Sequence, residues 1–179
     1  MEDKELLALF NNEASRNRAF SLLLGKYQKR IYWHIRKMVI DHDDADDITQ
    51  NCFINVWHNL ENFRHDAQLF TWIYKIATNE CLSFLNKKRK RFFISFHNVE
   101  NELEEKLDTS TLISGDEIQI KLQKALLKLP EKQRLVFNMK YFDELKYEEM
   151  SDILGTSVGA LKASYHLAVK KVEEYLKLN

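Results

Sequence analysis

The chain has 179 residues, of which 45% are hydrophobic and 30% are charged, so it can bury a core and keep a solvated surface. Four glycines and one proline leave few turn signals, which favours a mainly helical fold. The N-terminus is acidic and no apolar run reaches membrane-spanning length, so we expect a cytoplasmic protein without a signal peptide or membrane insertion.

The net charge of zero is unevenly distributed along the chain. Residues 1–93 carry a net charge of +3, residues 94–117 carry −6, and residues 118–179 carry +3. Together with the apolar pattern, this predicts two helical domains, 1–93 and 118–179, joined by an acidic flexible linker over 94–117. Basic parts beside an acidic segment often accompany nucleic-acid binding, although the asymmetry alone is a weak indication.

Three helices are predicted in the first domain, over residues 19–38, from Asp44 to about residue 60, and over residues 69–90. The second helix carries an i,i+4 apolar stripe made of Ile48, Cys52, Val56 and Leu60. Phe53 and Trp57 form another stripe beside it, which is wider than one core face requires. We expect Cys52 and Cys81 to be reduced core thiols, because both lie within apolar helical patterns.

The third helix combines hydrogen-bonding and basic side chains. One polar stripe contains Thr71, Lys75, Thr78, Asn79 and Asn86, and a basic run, 87–91, follows it. With the aromatic loop at residues 63–66, these groups could hold single-stranded DNA by stacking and phosphate contacts. A solvated helix face whose basic end complements the helix dipole explains the same residues, and on these residues alone it is the better explanation.

The second domain contains a predicted helix-turn-helix. Helices are predicted over 118–127, 134–141, 147–154 and 157–178, with Gly155 ending the third at positive φ and Ser157 capping the fourth. The fourth helix places small and basic residues opposite its apolar side: Gly159, Lys162, Ala163, His166 and Lys170. Such a face fits a reader of the DNA major groove, and an ordinary helical hairpin with a solvated lysine face is the alternative.

Catalytic sites find little support in the sequence. The acidic residues 41–47 lack the glycine and glutamate positions of an EF-hand, and His42-Asp43 lacks the further ligands of a metal-dependent phosphohydrolase. No nucleophile has a placed base, and no glycine-rich phosphate loop occurs. We therefore expect no catalytic residue, no metal, no cofactor and no small-molecule substrate.

These motifs together closely resemble the extracytoplasmic-function (ECF) sigma factors of bacterial RNA polymerase. The likeness lies in residues 44–57, 63–64, 70–79, Leu129-Pro130 and the helix-turn-helix, and it covers about residues 15–91 and 118–176. The resemblance implies an all-α protein, with a helical bundle of the sigma region 2 type and a four-helix domain of the region 4 type. It also implies a sigma factor that is not an enzyme and that promotes promoter melting.

The resemblance implies two binding surfaces in the first domain. The second helix would bind the β′ clamp of core polymerase through Asp44, Asp47, Ile48, Gln50, Asn51, Phe53, Ile54 and Trp57. A minus-10 surface would capture the unpaired strand, with Asn79 as the base reader, through Arg64, His65, Lys75, Thr78, Asn79, Lys87, Lys88 and Arg89. Alternatively, Phe53 and Trp57 form a partly buried stripe of the core and do not contact the polymerase.

The second domain would read duplex minus-35 DNA and contact the β flap, and an anti-sigma factor is an expected partner. The reading residues would be Ser157, Gly159, Lys162, Ala163, His166 and Lys170. Arginines that are usual in the family's recognition helix are replaced here by Ser164, Leu167 and Val169, which removes phosphate contacts. The rival hypotheses are a stand-alone helix-turn-helix regulator and a helical adaptor that uses the Phe53 and Trp57 surface.

Overall fold

The computed structural model describes residues 1–91, 101, 103, 105–107 and 117–178, and these residues contain no strand. The N-terminal part contains α1 (Asp3–Phe10), α2 (Arg16–Val39), α3 (His42–Asn59) and α4 (Leu69–Arg91), with a short 3₁₀ helix at Leu60–Asn62 between the last two. The C-terminal part contains α5 (Glu117–Leu127), α6 (Glu131–Tyr141), α7 (Tyr147–Leu154) and α8 (Val158–Leu178). The all-α architecture is therefore confirmed.

Helices α2, α3 and α4 form a bundle around the apolar stripe that periodicity predicts. Ile48, Cys52 and Val56 are buried on the inner side of α3, and Leu60, the first residue of the 3₁₀ helix, is buried in the same cluster. Helix α3 begins slightly earlier than expected, at His42, because the Asp41 carboxylate accepts a hydrogen bond from the backbone N–H of Asp44 at 2.9 Å. This hydrogen bond lowers the pKa of Asp41.

Helix α1 is an element that the sequence pattern did not predict. Its apolar residues Leu6, Leu7 and Phe10 are buried against the α2–α4 bundle. The ring of Phe10 meets the ring of Trp57 edge-on, with 5.4 Å between their centroids. Helix α1 therefore covers part of the second apolar stripe of α3.

The C-terminal helices pack around a smaller cluster and contain the predicted helix-turn-helix. Helices α5, α6 and α8 bury a common core that consists of Ala125, Leu126, Leu129, Phe137, Ala168 and Val172. Gly155 ends α7 with a φ of +62°, and the Ser157 hydroxyl accepts a hydrogen bond from the backbone N–H of Ala160 at 3.3 Å. The predicted positive φ at Gly155 and the predicted cap at Ser157 are both confirmed.

The N-terminal and C-terminal helices also share one continuous core. Leu135, Val136 and Met139 of α6, and Met150 and Ile153 of α7, belong to the same buried cluster as the inner face of α4. This contact could not be predicted from periodicity, because an amphipathic pattern identifies a buried face but not the element that buries it.

The acidic segment differs from the irregular linker that was expected. Residues 101, 103 and 105–107 are helical, and Leu103 and Leu107 are buried against Ile40 and Leu127. These two leucines lie one helical turn apart, so a short helix buries both on one side. The rest of the predicted linker, apart from Glu117, lies outside the described residues.

Candidate functional site

An apolar groove lies between α2 and α3, where the sequence predicts a protein-binding surface. Its volume is about 500 Å³, and its lining includes Phe20, Leu24, Gln50, Phe53, Ile54 and Trp57. Ile54 is 54% exposed and is therefore the main apolar side chain that the described conformation leaves uncovered in this groove. An exposed apolar side chain in a concave site is typical of an anchor for a protein partner.

The second apolar stripe on α3 is more deeply packed than the sequence suggested. Phe53 is only 5% exposed, and Trp57 is half-buried and meets Phe20 edge-on at a centroid distance of 4.9 Å. Phe53 thus belongs to the core and can form only the floor of the groove. Of the two alternatives that the sequence leaves open for Phe53, the core position is the one observed, because its side chain belongs to the main buried cluster.

The other predicted partner-binding residues of α3 divide into exposed and internal groups. Asp47, Gln50 and Asn51 are exposed, whereas Ile48 is buried. The Asp44 carboxylate lies 3.7 Å from the Lys88 ammonium and 3.6 Å from the Lys106 ammonium. Ile48 and Asp44 therefore face the protein itself in this conformation.

A second pocket is formed by the loop between α3 and α4 together with the first turns of α4. Its volume is about 280 Å³, and it is lined by Asn62, Phe63, Arg64, Asp66, Ala67, Thr71, Trp72, Lys75 and Asp152. The rings of Phe63 and Trp72 lie 5.3 Å apart between centroids. Aromatic rings beside cationic side chains can stack on a nucleobase and contact its phosphate.

The loop beside this pocket has an unusual backbone conformation at His65. This residue has a φ of +61°, which lies in the left-handed region that non-glycine residues seldom occupy. The His65 ring is tilted against Phe63 with 4.8 Å between centroids. The predicted residues Arg64 and Lys75 line the pocket, whereas His65 stands beside it and lines the neighbouring groove of about 880 Å³.

The polar stripe of α4 is only partly exposed. Asn79 is exposed one helical turn after Lys75, although it does not line the pocket. Thr78 is 1% exposed, and its hydroxyl donates to the Tyr74 carbonyl at 2.9 Å and lies 3.0 Å from His34 Nε2. The expectation that Thr78 faces a DNA strand is therefore corrected: its hydroxyl belongs to a buried network.

The basic run at the end of α4 is also engaged with the protein. Lys87 is exposed, but the Lys88 side chain is largely covered beside Asp44. The Arg89 guanidinium donates to the Glu131 carboxylate of α6 at 2.9 Å. In this conformation only Lys87 of the three predicted phosphate contacts presents its charge openly to solvent.

The predicted duplex-reading face of α8 is open to solvent. Leu161, Ala168 and Val172 are buried on the opposite side of the helix. All six predicted reading residues are exposed, namely Ser157, Gly159, Lys162, Ala163, His166 and Lys170. Small side chains along an exposed helix face permit close approach to base edges, and the two lysines and His166 supply donors.

Three groups that line the pocket between α3 and α4 were not predicted from the sequence. Two of them are Asn62 and Trp72. Trp72 directly follows Thr71, which belongs to the predicted polar stripe of α4. Asp152 comes from α7, and only the packing of α7 against α4 brings it to the pocket. Among the described residues, no group of three or more histidine, cysteine, aspartate or glutamate side chains could hold a metal ion, and no helix is long and apolar enough to span a bilayer.

Comparison with known proteins gives matches to both halves of the chain. The Sigma-70 region 2 family model matches residues 23–91, and the Sigma-70, region 4 family model matches residues 119–172. The region 2 match includes most of the α2–α3 groove and of the pocket between α3 and α4, and the region 4 match includes the exposed face of α8.

Individual relatives cover most of the chain. It is similar to the ECF RNA polymerase sigma factor SigW of Bacillus subtilis, with 28% identity over 167 residues and 89% of each chain covered. The RNA polymerase sigma-H factor of Pseudomonas aeruginosa is 29% identical over 168 residues, covering 89% of this chain and 87% of the relative. The solved sigma factor RpoE from Bartonella quintana, in complex with the anti-sigma factor NepR, shares the fold with a TM-score of 0.69 and 20% identity, covering 89% of this chain and 98% of that one.

Proposed function

Because this chain belongs to the sigma-70 family and is an RNA polymerase sigma factor of the ECF type, we propose that it binds core polymerase and recognises two promoter elements. Residues 1–93 would bind the polymerase and the minus-10 element, and residues 118–179 would bind the minus-35 element. The segment 94–117 would connect them. The family is not an enzyme family, and we propose that this chain performs no catalytic step itself.

The α2–α3 groove is the proposed site for the β′ clamp of core polymerase. Ile54 supplies an exposed apolar anchor, and Gln50 and Asn51 provide hydrogen-bonding groups at its side. Trp57 and Phe53 line the same groove beside Ile54. A central apolar contact with polar groups around it is the usual arrangement of a protein–protein hot spot.

The pocket lined by Phe63, Arg64, Trp72 and Lys75, here called the strand pocket, is the proposed site for an unpaired base of the minus-10 element. This pocket is the observation that carries the proposal, because it joins two aromatic rings to Arg64 and Lys75 in one concave surface. A base that leaves the duplex loses its stacking, and stacking on Trp72 or Phe63 would restore part of that free energy. Binding the melted strand better than the duplex lowers the free energy of the open state.

Asn79 extends this surface beyond the pocket. Its exposed amide can donate to and accept from a base edge, and we retain it as a candidate base reader. Because it lies outside the pocket lining, it would contact a neighbouring nucleotide rather than the captured base. Lys87 lies two turns further along α4 and would contact the phosphate backbone.

Helix α8 is the proposed reader of duplex minus-35 DNA. Lys162, His166 and Lys170 lie on its exposed face, and Gly159 and Ala163 allow the helix to approach the bases. The β flap of core polymerase is a further proposed contact of this part of the chain. The solved RpoE structure contains an anti-sigma factor, which supports an anti-sigma partner for this chain as well. Partnership with core polymerase would place the protein in the cytoplasm.

A stand-alone regulator is not favoured, because the region 2 model matches residues 23–91 in addition to the region 4 match over residues 119–172. The two functions can be separated with a pool of pre-melted promoter fragments whose unpaired strand has a random sequence. Fragments retained by the complex with core polymerase are sequenced. We expect enrichment of one base at a fixed distance from the duplex edge.

Retention of the pre-melted fragments should decline in Arg64→Ala and Lys75→Ala, whose side chains would contact the phosphate of the captured nucleotide, and persist in the matched control Lys177→Ala, whose exposed lysine lies at the end of α8. Loss of a phosphate contact weakens binding about equally for all sequences and lowers the salt slope by about one unit. A retained pool without enrichment in the unaltered protein would contradict the strand-pocket assignment.

A further inference from the structure

The turn between α6 and α7 inserts a carboxylate into the N-terminal bundle. Asp143 Oδ1 accepts a hydrogen bond from Lys37 Nζ at 2.6 Å, and Oδ2 accepts one from the Tyr74 hydroxyl at 2.5 Å. His34 Nδ1 lies 3.5 Å from the same Oδ2, and Arg30 donates to the Asp143 backbone carbonyl at 3.1 Å. The Asp143 side chain is only 6% exposed.

The N-terminal bundle supplies the positive charge that pairs with this buried carboxylate. Burial alone would raise the pKa of Asp143, but hydrogen bonding with His34 and the nearby Lys37 outweigh it and hold the pKa at about 2. His34 is completely buried, which lowers its pKa, so Lys37 is the cation that faces Asp143 at neutral pH. A buried ion pair that loses one partner leaves the other charge uncompensated, so this contact favours the closed packing only while both partners are present.

The contact holds C-terminal groups over the proposed strand pocket. The Lys75 ammonium donates to the backbone carbonyl of Asp152 at 3.3 Å, and Asp152 forms one wall of the pocket. Glu148 and Glu149 of α7 line the adjoining groove opposite the loop that contains His65. The carboxylate of Asp152 in the pocket wall and the two glutamates in the adjoining groove oppose the approach of a phosphate backbone.

The closed packing and strand binding therefore compete for the same surface. The bond to Asp152 directs the Lys75 ammonium toward α7, and the Asp152 carboxylate brings negative charge to the wall of the pocket where a phosphate would lie. Because α4 and α7 belong to different parts of one chain, separating α6 and α7 from α4 would release Lys75 and move the acidic groups away.

We propose that the C-terminal helices form a reversible cover over the strand pocket and that Asp143, bound to Lys37 and Tyr74, is the latch that keeps it closed. The free chain is then self-restrained, and partners that bind the open arrangement shift the population toward it. The assignment of the pocket rests on the proposed function, whereas the closed arrangement rests on the contacts alone.

The test uses the full chain with fluorescent labels on introduced cysteines at Ser21 of α2 and Lys177 of α8, both of which are exposed. The native cysteines are buried, and burial raises the pKa of Cys52 to about 12, so they compete poorly for a thiol-reactive dye. Single-molecule energy transfer reports the fractions of closed and open chains. Circular dichroism checks that each variant keeps its helical content.

Asp143→Asn should raise the open fraction at least tenfold. Glu144→Gln is the matched control, because it removes the same charge from the adjacent exposed position and should leave the distance distribution unchanged. Lys37→Met, which removes the partner from the opposite side, should reproduce the opening. The open variants should also bind a single-stranded oligonucleotide about tenfold more tightly than the unaltered chain does.

Unchanged distances in both Asp143→Asn and Lys37→Met would overturn the latch, and an equal change in Glu144→Gln would overturn its assignment to Asp143. Opening without a gain in single-strand affinity would overturn the cover. Failure of the proposed function has a different signature: the distances would respond as expected, while the complex with core polymerase would show no base preference on pre-melted DNA.

Discussion

Replacement of Ile54 by serine tests the proposed polymerase-binding groove with little disturbance of the fold. The side chain is 54% exposed in the free protein, so it contributes only part of its apolar surface to the core. Full burial of an isoleucine side chain is worth about 1.5–3 kcal/mol. Burial of the exposed 54% against a partner is thus worth roughly 0.8–1.6 kcal/mol.

That free energy corresponds to a loss of about 4- to 15-fold in affinity for core polymerase when Ile54 becomes serine. Leu22→Ser is a matched control, because Leu22 is an exposed apolar residue of α2, at 38%, that does not line the groove. Affinities are measured by biolayer interferometry with immobilised core polymerase, after thermal unfolding shows that both variants remain folded.

Equal losses in the two variants would show that general surface hydrophobicity controls binding and would refute the groove assignment. An Ile54→Ser variant that keeps full affinity would place the polymerase contact elsewhere. The same experiment with Phe53 would be ambiguous, because that side chain belongs to the core and its removal affects the fold.

Three further outcomes are expected. Phe53→Ala should lower the free energy of unfolding by about 3–5 kcal/mol in urea denaturation, as removal of a core phenylalanine does; a loss below about 1 kcal/mol would contradict the packing. Burial lowers the pKa of His34 from its usual 6.5, so the unfolded chain takes up the proton first as the pH falls. The free energy of unfolding should therefore fall below about pH 6.5, by at most about 1.4 kcal/mol per pH unit, and this part of the slope should vanish in His34→Gln. Lys162→Ala and Lys170→Ala should each reduce the salt slope of duplex binding by about one unit, unlike Lys177→Ala, if they contact phosphate; equal slopes would exclude these contacts.

The helices and the helix-turn-helix could be predicted because local chemistry determines them. The α3 core stripe repeats at helical spacing, Gly155 permits the left-handed end of α7, and Ser157 satisfies a free backbone donor at the start of α8. The exposed face of α8 followed from the same periodicity, and Leu161, Ala168 and Val172 are buried on the opposite side of the helix.

Long-range packing could not be predicted from these patterns. The sequence left both a core and a surface position open for Phe53, and Thr78 was expected to face DNA because its buried partner His34 lies 44 residues away in sequence. Asp143 occurs in an ordinary polar turn, and only the fold places it beside Lys37. A polar residue in a sequence does not reveal whether its partner is solvent, DNA or another helix.

Run-off transcription with purified core polymerase tests the central claim most directly. Fragmented genomic DNA from the bacterium that carries the gene serves as template, and the 5′ ends of the transcripts are mapped with and without the chain. The chain should produce discrete start sites that core polymerase alone does not use, and the sequences upstream should share two conserved elements. Absence of new start sites, together with specific duplex binding by the chain alone, would contradict the sigma-factor account and favour a stand-alone regulator.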